Sequence, residues 1–245
     1  MVWIVLGAII FTSFISGILG MAGGMILIGV LSILLPVTSA MILHGVTQMG
    51  SNGFRAYLLK EHIKFRVLPT YILGAIVGFG IFSALGFVPS KGLVLIAVGL
   101  FPFLTILTRK SIPFNIMKSK NSFACGIIVT AAQILAGASG PILDVFFIKS
   151  SLNRHEIIAT KAITQTIGHL IKLIYYGQIL YYSTSEQLEV PYLLFPAAVA
   201  CAFTGTRGGK VVLDRLSELQ FQRYSRIVIA LIGCLYILKG LVMSP

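Results

Sequence analysis

HGVTQMGSNGFRAY, residues 44–57, lies inside a long apolar segment yet carries His44, Thr47, Gln48, Ser51, Asn52 and Arg55. At ~100° per residue all but Asn52 fall within an arc of roughly 100° on a helix, and Asn52 widens it to about 140°. One face of such a helix is polar and the rest is apolar. A guanidinium at the centre of a lipid-facing helix costs on the order of 3 kcal/mol. Arg55 is therefore expected to face protein or a watery cavity, which makes it a candidate binding group.

The stretch occurs twice. In KAITQTIGHLIKLI, residues 161–174, Thr164, Gln165, His169 and Lys172 stand opposite Thr47, Gln48, Asn52 and Arg55 at a constant difference of 117 (164 minus 47). The same shift pairs Gly20, Gly23 and Gly24 of GMAGG with Gly137, Gly140 and Pro141 of GASGP. Two regions of different character sharing one offset indicate an internal duplication. Residues 1–108 form a first repeat, 109–120 a linker and 121–245 a second repeat.

The chain is 57% hydrophobic and 11% charged, with a mean hydropathy of +0.96. No single soluble core takes up so large an apolar fraction, so an integral membrane protein is expected. Long apolar runs bounded by Gly, Pro or charge favour a helical bundle over a barrel, whose short strands alternate. The formal charge of +12 comes from 19 Lys and Arg against 7 Asp and Glu. These positives fall mostly in short loops, where they set orientation and meet anionic lipid; nucleic acid drops out as a partner. Cys125, Cys201 and Cys234 are far apart in apolar runs and read as packing residues. The leading MVWIVLGAIIFTSFISGILG has no basic leader and no convincing cleavage site, and is expected to remain as a span.

Apolar segments are expected at 2–19, 24–35, 39–58, 67–86 and 91–108, and again at 122–137, 141–149, 157–177, 190–206 and 226–242. The second member of each set is too short for a crossing of roughly 20 residues. Short, Gly/Pro-interrupted segments at matching places in two halves point to a transporter site built on broken helices. Lys60, Lys64 and Arg66 assign the loop after the first polar helix to the cytoplasm, as Arg109, Lys110, Lys118 and Lys120 do for the linker. The matching loop of the second half, QILYYSTSEQLEV, has Glu186 and Glu189 with no basic residue and belongs outside. The loop from Arg207 to Arg226, with Lys210, Arg215 and Arg223, falls inside. Homologous loops on opposite sides make the halves inverted, with both chain ends outside.

Inverted halves bring the two polar helices together near the midplane. Hydroxyls, amides, a guanidinium, an ammonium and an imidazole then converge with backbone N–H groups of the two breaks, whose helix dipoles favour negative charge. A small oxyanion suits this donor-rich set. Competing structural readings stay open. Thr and Gln also serve as interhelical hydrogen-bond glue, Arg55 and Lys172 can snorkel to headgroups, and His169 can be a satisfied core histidine. Asp144, the acid deep in an apolar stretch, is either a proton carrier or a counter-ion to Lys161 or Lys172. His62 and His155 are loop residues without an assigned role. No H-E-x-x-H, Cys/His ligand set, nucleophile elbow or P-loop occurs, which leaves secondary transport rather than catalysis or ATP-driven transport, and no cofactor or metal is expected.

GILGMAGGMILIGVL followed by HGVTQMGSNGFRA, with the degenerate second copies LAGASGPIL and TKAITQTIGHLIK, resembles the sulfite exporter TauE/SafE family of bacterial membrane proteins over nearly the whole chain. The resemblance implies movement, commonly export, of small sulfur-containing anions such as sulfite, thiosulfate or organosulfonates across the cytoplasmic membrane. Carried onto this sequence, the breaks are Gly20 to Gly24 and Gly137 to Pro141, the second departing from pure glycine at Ser139 and Pro141. The substrate is then expected between Thr47, Gln48, Ser51, Asn52, Arg55 and the first break on one side and Thr164, Gln165, His169, Lys172 and the second break on the other. Proton coupling would run through His169 or Asp144. A passive anion channel and a non-transporting accessory or scaffold protein remain as alternatives, and the oligomeric state, a homo-oligomer included, stays open.

Overall fold

The structure, a computed structural model, describes residues 2–19, 22–108, 114–183, 187–213, 215 and 218–243. Among them are ten α-helices and no strand: α1 (Val2–Leu19), α2 (Ala22–Leu34), α3 (Val37–Leu58), α4 (Leu68–Leu85), α5 (Lys91–Thr108), α6 (Ser119–Ala136), α7 (Gly140–Phe147), α8 (Arg154–Tyr182), α9 (Leu194–Leu213) and α10 (Glu218–Met243). Gly20, Arg109, Lys110 and Glu186 lie outside the described residues.

Every expected segment is helical over most of its length, but boundaries move in both directions: α9 starts at Leu194 rather than 190, while other helices lengthen. α8 starts at Arg154 rather than 157 because Asn153 and Glu156 close a capping box. It then runs to Tyr182, past the expected end at 177. Arg207 and Lys210 fall on the last turns of α9, and Arg223 and Arg226 fall within α10, so most of the stretch from 207 to 226 is helix rather than loop. At 1.5 Å per residue α2 and α7 are about 20 and 12 Å long, too short to cross a hydrocarbon layer of about 30 Å alone.

The outer surface is apolar. Phe65–Leu85 is long and apolar enough to cross a membrane by itself, with 28% of its window buried, and α1 and α10 expose Trp3, Phe11, Leu235 and Leu238. Faces of this extent are stable against lipid rather than water. The central core joins Ile9, Leu27, Ile28, Leu31, Met41, Val98, Ile134, Tyr175 and Tyr176, so it draws on both halves.

Helix pairing repeats between the halves. α1 packs on α9, and α6, which corresponds to α1, packs on α4, which corresponds to α9. Both crossings are close: a side chain added at Gly17 would strike the Gly209 backbone, and one at Gly126 the Tyr71 carbonyl. α3 packs on its own counterpart α8, and α5 on α10. Along α3, Gly45 lies against Leu173, Gly53 against Thr166, and Ala56 clusters with Ala162 and Ala159, so α3 and α8 run antiparallel. The same descending register, Gly92 against Gly240 and Gly99 against Gly233, makes α5 and α10 antiparallel. These contacts are compatible with two inverted copies of one unit.

Candidate functional site

The α3/α8 contact and the two chain breaks meet at one cavity. His44, Gln48, Asn52 and Arg55 reach it from a single stripe of α3, and Gln165 and His169 come one turn apart from α8. Ala138, Ser139 and Gly140 enter from the break before α7, Gly24 from the start of α2 and Ser16 from α1. The cavity has a free volume of about 20 Å³, room for about one water.

Short hydrogen bonds fix its walls. His44 Nε2 lies 2.9 Å from the Gly24 carbonyl oxygen, which can only accept, so Nε2 carries the proton and Nδ1 is left as an acceptor. Lys172 Nζ lies 2.8 Å from that Nδ1 and donates to the Gly137 carbonyl at 2.8 Å. Gly137 ends α6 at φ +72, in the left-handed region that turns the chain into the break. Gln133 Nε2 donates to Ser139 Oγ at 3.1 Å, and Asn52 Nδ2 donates to the Gln48 carbonyl at 3.0 Å. The His44 and His169 rings meet edge to face with centroids 5.4 Å apart. His169 is buried and its Nδ1 has no hydrogen-bond partner among the described residues.

The sequence expectations divide. Gln48, Asn52, Arg55, Gln165, His169, Ser139, Gly140 and Gly24 line the cavity. Thr47 and Thr164 do not: each hydroxyl bonds a carbonyl four residues back, Leu43 and Thr160, as buried threonines in apolar helices do. Ser51 faces α9, its Oγ 3.4 Å from that of Thr206. Gly23 packs on α1, where an added side chain would strike the Thr12 carbonyl. Lys172 and Gly137 lie behind the cavity wall and hold it rather than line it. Asp144 pairs with Lys161, one of its two expected partners, and does not line the cavity. His44, Ser16 and Ala138 were not among the expected site residues. His44 belonged to the polar arc of α3 and was within reach of the pattern, whereas Ser16 and Ala138 carried no signal.

The electrostatics are one-sided. Among the described residues no carboxylate lines the cavity, the Arg55 guanidinium makes no hydrogen bond or ion pair, and Lys172 is fully buried without an acidic partner. A buried cation lacking a counter-charge carries an unrepaid desolvation cost. Among the described residues no group of three His, Cys, Asp or Glu side chains converges. Residues 5–236 match the family model of the sulfite exporter TauE/SafE family, and the chain belongs to that family of membrane transporters. No curated protein and no solved structure matches it.

Proposed function

We propose that the chain is a secondary transporter that exports small sulfur-containing anions such as sulfite, thiosulfate or organosulfonates across the bacterial cytoplasmic membrane. Two inverted repeats, 1–108 and 121–245, rock about the α3/α8 contact and alternate access to the cavity between them. The observation that carries this reading is the cavity itself: three amides, Gln48, Asn52 and Gln165, converge with Arg55 and His169 where both chain breaks end, and no acid is among them. Amide and guanidinium donors suit an anion with several acceptor oxygens.

The size of the cavity favours a carrier over a pore. Room for about one water is less than a sulfur with three oxygens requires, so the side chains must part before an anion enters. The antiparallel pairing of α3 with α8 and of α5 with α10 supports the inverted arrangement, and the loop charges support an outside location for the end of α8.

A panel of oxyanions and sulfonates tested for thermal stabilisation of the detergent-solubilised protein examines the reading. An anion at 100 times its Kd adds about 2.7 kcal/mol, which raises Tm by about 5–10 °C for a chain of this size. Stabilisation by sulfite or a sulfonate but not by chloride supports the proposal. Failure of every sulfur anion to stabilise favours an accessory role.

A further inference from the structure

Arg55 and Lys172 occupy equivalent repeat positions, 172 minus 55 being 117, but not equivalent surroundings. Because α3 and α8 are antiparallel, the two cations lie at opposite ends of the central cavity: Lys172 beside His44, Arg55 beyond Asn52. Lys172 is fully buried. Its ammonium holds the Gly137 carbonyl directly and the Gly24 carbonyl through the His44 ring, so one cation ties both chain breaks together. One turn further along α8, Tyr175 donates to the Phe87 carbonyl at 2.7 Å and Tyr176 to the Ile134 carbonyl at 2.6 Å. Beyond them opens a second cavity of about 550 Å³ reached by Tyr175, Gln178, Tyr182 and Ser83. Lys172, which holds a wall of the central cavity, and Tyr175, which lines this second one, thus lie about one turn apart on α8.

Arg55 differs. It lines the central cavity, is half-buried, and its guanidinium has no partner among the described residues. Lys161, on the same helix as Lys172, pairs with Asp144 of α7. Lys172 instead makes its contacts with an imidazole and a carbonyl, partners that a rotation of α8 can release.

We propose that Lys172, acting through His44, is the latch that closes the α8 C-terminal end of the site, and that Arg55 is the corresponding latch at the opposite end. The two exchange closed and released arrangements as the halves rock. The inference rests on the alternating-access reading and assigns its two gates. Lys172 is a positioning residue, not a ligand. An anion in the central cavity supplies the missing negative charge, which steadies the closed latch and draws the free guanidinium inward.

The test uses the full chain with Cys125, Cys201 and Cys234 replaced by alanine and the cavity residue Ala138→Cys as reporter. Membrane vesicles of each orientation are treated with the membrane-impermeant reagent trimethylammonium-ethyl methanethiosulfonate. Lys172→Met is expected to raise labelling from the α8 C-terminal side about tenfold, the change that loss of one charge-assisted hydrogen bond produces. Lys172→Arg is expected to stay near the parent rate, and Arg55→Met to raise labelling from the other side alone. Should Lys172→Met not reach the membrane, His44→Gln replaces it, with a smaller rise on the same side. An unchanged rate, or an equal rise from both sides, overturns the latch. Anion counterflow in the parent protein reports separately on the carrier reading, because labelling needs no transport.

Discussion

Replacing Gly137 by alanine strikes the turn on which the site depends. Gly137 has φ +72, where a side chain costs about 1–2 kcal/mol. A Cβ there would also lie 2.6 Å from Ile28 Cγ1 and 2.8 Å from Met41 Sδ, side chains of the buried core. Overpacking of that kind adds about 1–3 kcal/mol, for a total of about 2–5 kcal/mol. Gly86 separates the two contributions, because it is left-handed at φ +57 but a Cβ there meets nothing within 4 Å. Gly86→Ala is expected to cost only the conformational part, about 1–2 kcal/mol. Gly7, on the exposed face of α1 with open space around it, marks the opposite sign: Gly7→Ala is expected to stabilise the helix by about 0.5–1 kcal/mol. Equilibrium denaturant unfolding in detergent ranks the three. The reasoning fails if Gly137→Ala costs no more than Gly86→Ala, since the break would then have room that the structure denies it.

Other expectations concern the charges and the packing around the site. Arg55→Ala removes a charge-assisted contact and is expected to weaken binding of the stabilising anion about 10- to 150-fold, read by titration calorimetry. Asp144→Asn unpairs Lys161, but the two side chains are 38% and 16% exposed, so stability should fall by no more than about 1 kcal/mol. The pH profile of transport should survive that change, and its loss would make Asp144 the proton carrier. Tyr236→Phe deletes the 2.8 Å bond from α10 to the Ile26 carbonyl of α2 and should cost about 1 kcal/mol in the same unfolding assay.

Much of this fold was legible because the bilayer restricts the choices to helices, and an exact repeat offset is hard to produce by accident. Segment order, the short second member of each half and the meeting of α3 with α8 all followed from hydropathy and the 117-residue shift. Helix ends did not, since apolar runs end before the polar turns that finish a helix: the capping box at Asn153 and the basic stretches of α9 and α10 extend their helices without any hydropathy signal. Within the site, periodicity placed Gln48, Asn52, Arg55, Gln165 and His169 on the faces that line the cavity. It could not tell that Thr47 and Thr164 would satisfy their hydroxyls on their own helices, or that Ser51 would turn toward α9. The repeat also misdirected in one respect. Position 44 corresponds to 161, a histidine against a lysine, so a search for matched pairs passed over His44, and matching Lys172 to Arg55 suggested a ligand where the structure has a fastening.

Uptake of radiolabelled sulfite into proteoliposomes preloaded with unlabelled sulfite tests the central claim most directly. A carrier with one anion site between two moving halves predicts saturable uptake, acceleration by sulfite on the far side, and a higher half-saturating concentration in Arg55→Ala. Uptake that rises linearly with concentration, gains nothing from internal sulfite and is the same in Arg55→Ala would contradict it.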